Sequence, residues 1–552
     1  MNIVLCWHMH QPDYRLGGRY LKPWTWLHAI KDYSDMAAHL ERVPGARAVV
    51  NFSPVLIEQL QDYPRRIRAL LERGEPSGDL VLDALAGIGD ENNAELLAQL
   101  LRVNEKRMKR RFDRYSRLAD RAKAVLEGGG VIDGQEVHDL LQWYVIAWLG
   151  ESLRDLPLAR DLVRRERGFS EVDRRALLAM VAGVMEELLP RYRKLAGDGA
   201  IELSVTPYAH PILPLLLDFE SAREAMPEIP LPEADYPGGV ARCDWHLNEA
   251  RCVFLDAFGI EPVGCWPSEG ALSEETLLLL ARHHFRWTAS GSQVLMNSLR
   301  RAGLGDAHHP HHCAWQPDEG PACFFRDDGL SDLIGFEYSK WPAEDAVADF
   351  LRRLEKRREE VLAAGNPSPL LGIIMDGENA WEYFESNGWD FLQTLYTRLV
   401  EHPLLNLTTF SQALESAGVQ RLPALCAGSW VHGSLSTWIG DPAKNRAWDL
   451  LVAAKRAVAG SAQAQDPPVL RQLAICEASD WFWWPGEGER LADAAEFDAL
   501  FRRNLAALYE LINVAPPQIL TYPLASAETA PEVAEEQFQG AMRRSASSGN
   551  PD

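Results

Sequence analysis

Four clusters of polar residues stand out because each follows directly on an apolar run. "IVLCW" leads into His8, Met9, His10, Gln11 and Pro12. "IELSV" leads into Thr206, Pro207, Tyr208, Ala209, His210 and Pro211. "VGCW" leads into Pro267, Ser268, Glu269 and Gly270, and "GIIM" into Asp376, Gly377, Glu378 and Asn379. Two carboxylates on one surface suit cleavage of a glycosidic bond. One attacks the anomeric carbon or stabilises its positive charge, and the other protonates the leaving oxygen. Glu269 lies in a Pro/Gly turn, which holds a carboxylate in a fixed, exposed position. Asp376 leaves an apolar strand, a setting that raises a carboxyl pKa and favours an acid role. A purely structural role is open to each. "ENAWE" can open a helix whose N-terminus its carboxylates simply stabilise.

His8 and His10 share a face, because alternate strand residues point the same way. With Asp376 or His210 they have the makings of a metal site. Equally, they can donate hydrogen bonds to sugar hydroxyls. The tract "HHPHHC" (308–313) has metal-binding composition, but without a strand context it is expected to be an exposed loop.

The elements that must carry these residues follow from periodicity. Runs at 3–6, 48–52, 201–205, 262–266, 285–289 and 370–375 are apolar with little polar alternation, as in parallel strands covered on both faces. Helical patterns separate them, including a long charged segment at 94–126 and further helices to about 197. Strand–helix alternation with a helical insertion at about 90–197 predicts an α/β fold, an irregular parallel barrel over 1–414. In such a barrel all strand C-termini meet at one rim, where active sites lie. From 415 to 525 the pattern is mainly helical. The stretch 526–552 is small and polar, a composition expected to be disordered.

With 56 basic and 79 acidic residues the net charge is −23. That field repels phosphate backbones and gives no reason for binding an anionic membrane, so neither is an expected partner. The eight cysteines form no CxxC pair, several lie in strand-like runs, and free thiols in a reducing compartment are expected. No apolar run reaches membrane-span length, and the first residues form a strand rather than a signal, so a cytoplasmic location is expected. The 18 tryptophans exceed what a core alone needs, leaving some as flat platforms for sugar rings.

Five ordered motifs then resemble glycoside hydrolase family 57. They are "HMHQP" (8–12), "GAIELSVTPYAHPILPLL" (199–216), "GCWPSEGALS" (264–273), "GIIMDGENAWEYF" (372–384) and "EASDWFWWPGEG" (477–488). The resemblance implies a (β/α)7 barrel followed by a helical domain that completes the cleft. It implies a retaining mechanism on α-glucans, with Glu269 as nucleophile and Asp376 as general acid/base. His10 and His210 would bind the sugar beside the scissile bond, with His8 and Gln11 of the same motifs also against substrate. Trp266, Trp381, Asp480, Trp481 and Trp483 would line neighbouring subsites, and Glu378 would orient Asp376 or a sugar hydroxyl. No metal or other cofactor is implied. "DGENAWE" and "SDWFWW" look more like the amylase and amylopullulanase members, enzymes of starch and glycogen, than the branching enzymes.

Hydrolysis is the first expectation. A 4-α-glucanotransferase would use the same carboxylates. A metal-dependent carbohydrate deacetylase built on His8, His10 and Asp376 is a reading of another class, as is a non-catalytic glucan-binding protein.

Overall fold

A computed structural model describes residues 1–89, 93–305, 310–416, 418–486 and 491–524. Its centre is a closed barrel of seven parallel strands. These are β1 (Asn2–Met9), β2 (Ala48–Phe52), β3 (Ile201–Val205), β4 (Gly264–Cys265), β5 (Trp287–Gly291), β6 (Ala322–Arg326) and β7 (Leu370–Asp376). Neighbours in this order pair in parallel, and β7 returns to pair with β1. Helices cover the outside, so strands such as β2 and β6 are buried along their whole length. That double burial is why the strands read as apolar runs without alternation.

Six strands coincide with the apolar runs, within two residues at most ends. β6 does not. "ACFFR" offers four apolar residues between a Gly-Pro turn and two aspartates, too few for a periodic signal.

The charged segment 94–126 is broken rather than continuous. It forms Ala94–Gln99, a wide turn Glu105–Lys109, and Asp113–Leu126. The Asn104 side chain accepts from Arg107 N, so a polar cap restarts the chain inside the amphipathic pattern. Gly134–Trp148 and Glu171–Gly197 each begin with a reciprocal capping box, Asp133 with Glu136 and Ser170 with Asp173. Past the barrel come Pro442–Ala459, Pro467–Cys476, Asp480–Trp483 and Leu491–Leu511. One apolar cluster runs from Ile3 and Leu5 of β1 to Leu505 and Leu508 of the last helix. All eight cysteines are free, and all but Cys252 are buried. Among the described residues no helix is long and apolar enough to cross a membrane. The stretch 526–552 lies outside the described residues.

Candidate active site

Strand register places the first polar residues. His8 stands opposite Asp376 of β7 on one side and Asn51 of β2 on the other, and Asn51 stands opposite Ser204 of β3. Gly377 then turns the chain away, donating N–H to His8 O at 2.7 Å. A Cβ at Gly377 would lie 2.2 Å from Met9 Sδ, so any larger residue there would have to displace the Met9 side chain.

Hydrogen bonds fix the histidine tautomers in sequence. His8 Nδ1–H donates to Asn51 Oδ1 at 2.7 Å, where the Thr206 hydroxyl also donates at 2.7 Å. His8 Nε2 therefore accepts, and His210 Nε2–H donates to it at 3.0 Å. His210 Nδ1 is left to accept from Ser479 Oγ at 2.8 Å. Both rings are buried, which pushes His8 down to about 3 and His210 well below the ordinary imidazole value, with the neighbouring His10 adding to each shift. Both are thus neutral at physiological pH. His10 stacks on His210 with ring centroids 3.9 Å apart. Its Nε2–H donates to Asp480, 3.2 Å from each oxygen, and its Nδ1 accepts from Ser53 Oγ at 2.8 Å.

Glu269 follows β4 in a tight turn with φ 57°, a left-handed conformation rare outside glycine. His210, φ 62°, shares that feature. Such strain persists only where the surroundings over-determine it, and it concentrates at functional sites. Trp430 Nε1–H donates to Glu269 Oε2 at 2.9 Å. His210 Nδ1 stands 4.0 Å from Oε1. Burial and then the Asp376 charge push Glu269 up to about 8. Asp376 accepts from Asn379 Nδ2 at 3.1 Å, and burial raises it too. Both shifts run the same way, so each of these partly buried carboxyls is harder to ionise than a free one. Glu378 is a third acid, itself buried. Its Oε1 accepts from His10 N and Gln11 Nε2, both at 3.3 Å, and its Oε2 has no partner among the described residues. Burial, then the Asp376 charge, raise it well above the ordinary value.

These groups face one cavity of about 480 Å³. Nine of the residues singled out in sequence line it: His8, His10, Gln11, His210, Glu269, Asp376, Glu378, Asp480 and Trp483. Trp266, Trp381 and Trp481 do not. They are fully buried behind the wall, Trp381 and Trp481 with their indole N–H groups bonded to Gly377 O and Ile475 O. Large apolar rings this close to packed helices gain more from the core than from solvent. The tryptophan surface comes instead from Trp24, Trp148, Trp430 and Trp484, beside Trp483.

Trp430 is the member that pattern reading missed, along with Asn51, Ser53 and Ser479. An asparagine inside the apolar run "AVVNF" was the one available signal. In the His tract, His308 and His309 lie outside the described residues. His312 is fully buried and His311 partly so, which overturns the exposed-loop expectation for these two. Their turn packs onto Asp327 at the end of β6.

A closed parallel barrel carrying paired acids and neutral histidines on its rim is the frame of an enzyme acting at glycosidic bonds. The family model for glycosyl hydrolase family 57 matches residues 4–425, and the chain belongs to that family, whose enzymes are glycoside hydrolases and transglycosylases. A comparison with curated proteins found no match. Several solved structures share the fold. The alpha-amylase AmyC from Thermotoga maritima is 14% identical, with 93% of each chain covered and a TM-score of 0.57. A GH57-type branching enzyme from Pyrococcus horikoshii is 17% identical over 97% of this chain and 99% of that one, with a TM-score of 0.52. A 4-alpha-glucanotransferase from Thermococcus litoralis is 14% identical over 93% of this chain and 60% of that one, with a TM-score of 0.51.

Proposed function

We propose that the protein cleaves α-1,4-glucosidic bonds with retention, through a covalent glycosyl-enzyme on Glu269. The observation that carries this is the coupled pair. Glu269 and Asp376 come from strands far apart in sequence, line one cavity, and the Asp376 charge raises Glu269. The family motifs assign the roles, Glu269 to attack and Asp376 to carry the proton. Glu269 receives the Trp430 indole N–H and Asp376 the Asn379 amide, each of which favours the anion. In this reading Asp376 is the carboxyl that carries the proton when a sugar occupies the site.

Glu269 attacks the anomeric carbon as Asp376 gives its proton to the departing glycosidic oxygen. Asp376, now a carboxylate, takes a proton from water as that water attacks the same carbon and releases Glu269. His8, His10, His210 and Asp480 line the cavity as one hydrogen-bonded set and shape the subsite beside the reacting carbon. The α-glucan class is supported by family membership and by the α-glucan activities named for the three enzymes that share the fold. The segment after residue 414 completes the cleft, because Trp430, Asp480 and Trp483 all reach into it.

One observation favours transfer as a second reading. The cavity's outer aromatics include Trp24 beside Trp148, ring centroids 5.8 Å apart, and Trp484 stacked on Phe497 at 4.7 Å. Such surfaces can hold an acceptor sugar in place of water.

Product analysis after incubation with maltoheptaose separates these outcomes. Shorter sugars alone mean hydrolysis, and a ladder of longer ones means transfer. Products are expected to vanish in Glu269→Gln and Asp376→Asn and to survive EDTA. Turnover that persists in both variants, or is abolished by EDTA and restored by zinc, would overturn the carboxylate mechanism.

A further inference from the structure

Away from the cavity lining, a second set of side chains converges without a role in glycosyl chemistry. His311 and His312 end the turn Pro310–His312, and Asp327 directly follows β6. His311 Nε2 and His312 Nε2 each stand 3.3 Å from one and the same oxygen, Asp327 Oδ2. All three atoms lie within 4.8 Å of one another.

Among the described histidine–carboxylate hydrogen bonds only His10–Asp480, at 3.2 Å in the other cluster of possible ligands, comes near that spacing, and four others are shorter. Those measure 2.6 Å for His28–Asp32, 2.7 Å for His246–Glu477, 3.0 Å for His283–Asp244 and 3.1 Å for His402–Glu355. A charge-assisted hydrogen bond to a carboxylate is normally shorter than 3 Å. Ligand atoms placed ~2.0–2.1 Å from a tetrahedral zinc ion, by contrast, are separated by ~3.3 Å along each edge. The other oxygen, Asp327 Oδ1, is occupied in capping the following turn, where it accepts Leu330 N at 2.9 Å. Asp327 thus presents Oδ2 to the two imidazoles with its orientation already set.

We propose that His311, His312 and Asp327 form a binding site for a divalent first-row metal ion, zinc by its ligand chemistry, on the rim of the barrel. Two imidazole nitrogens and one carboxylate oxygen suit zinc, with the remaining position taken by water or a further ligand. An opposing charge is present. Arg357 Nε lies 3.7 Å from Asp327 Oδ2, and the same guanidinium donates to Glu360 at 3.0 Å. When a cation takes Oδ2, Glu360 remains as the partner of Arg357.

The ion's place in the fold gives it a structural role. It ties the turn before β6 to the end of β6. The next residue back, Arg326, lies over the Trp430 ring at 5.2 Å, and Trp430 donates to Glu269. On the other side, Asn366 Nδ2 donates to His312 O at 3.1 Å, linking the turn to the loop before β7. Metal here would stiffen the wall behind the candidate nucleophile without touching substrate.

The test uses the full chain stripped with a chelator and titrated with zinc chloride. Zinc per chain is measured after gel filtration, affinity by calorimetry, and folding by circular dichroism. Variants are His311→Gln, Asp327→Asn and Asp480→Asn, the last removing a member of the separate His10, His210 and Asp480 cluster. The expected result is one bound zinc per wild-type chain. Affinity should fall at least about tenfold in His311→Gln and Asp327→Asn, and stay unchanged in Asp480→Asn. If Asp327→Asn does not fold, His311→Gln decides by itself, since it removes only a partly exposed ring. A wild type that retains no zinc overturns the proposal. So does zinc lost in Asp480→Asn but kept in His311→Gln.

Discussion

Glu477, fully buried, and Glu269, partly buried at the cavity, both lie within reach of the "EASDW" segment, and the protein holds them in opposite ways. Glu477 is enclosed by donors. Arg242 grips it through Nε to Oε1 at 2.8 Å and Nη2 to Oε2 at 2.7 Å, His246 Nε2 adds a bond at 2.7 Å, and the Tyr236 hydroxyl adds another. Burial pushes this carboxyl up, but Arg242 and His246 outweigh it and hold it down at about 2. Glu269 has a neutral donor from Trp430, no Lys or Arg ion pair among the described residues, and a second carboxylate nearby, and it rises to about 8. Burial is common to both; the sign of the shift follows the partners. A fully compensated carboxylate is structure, clamping Ser479 and Asp480 into the cavity wall. An under-compensated one stays reactive and waits for a sugar's developing positive charge.

Three substitutions can break or sharpen that contrast, their effects taken from the largest to the smallest. Glu269→Gln should lower kcat by roughly 10⁴-fold or more, as loss of a nucleophile does, in steady-state assays on maltoheptaose. A fall under tenfold would remove Glu269 from the chemistry. Glu477→Gln should cost about 3–5 kcal/mol of stability, because it leaves the Arg242 charge buried without its partner. Urea unfolding at pH 7 measures this. The sign in acid can also be worked out. The folded pKa of about 2 lies below the ordinary 4.5, so the stabilisation is present above pH 4.5. It should drain away between about pH 4.5 and 2, closing the gap between wild type and variant.

Trp430→Phe keeps the ring's bulk but removes the indole N–H at Glu269, and should lower kcat about 10–100-fold, the weight of one hydrogen bond to a charged group. An unchanged kcat would mean the Trp430 contact is packing alone. The smallest effect is on stability, again at Glu269. Its folded pKa of about 8 lies above 4.5, so the folded state holds the extra proton and loses stability as pH rises between those values. Glu269→Gln should therefore stabilise the protein by about 1–3 kcal/mol at pH 8 and not at all below pH 4.5. Thermal melts across that range would show it. A variant less stable than wild type at pH 8 would contradict the picture of an under-compensated carboxylate.

Much of the site was legible because its residues sit at strand ends. A strand covered on both faces leaves an unbroken apolar run, and the first polar residues after it mark the rim. His8, Glu269 and Asp376 were all found in this way. β6 escaped because "ACFF" is too short to show a period, and with it went Asp327 and the support that Arg326 gives Trp430. The segment 94–126 read as one helix because its charge pattern is amphipathic throughout, while the break is made by a single capping asparagine. Trp266, Trp381 and Trp481 carried no mark separating a platform for sugar from a core side chain, since the two differ only in what packs against them.

By itself the sequence determined which chemistry was available and in what order along the chain it occurs. It also determined where strands end, since apolar runs and turn residues act over a few positions. Only the tertiary structure decided which carboxylate is compensated, which tryptophan reaches the cavity, and which tautomer each histidine adopts. Those outcomes depend on partners such as Arg242 for Glu477, Trp430 for Glu269 and Asn51 for His8. Each pair is separated by tens to hundreds of residues and brought together only when the barrel closes.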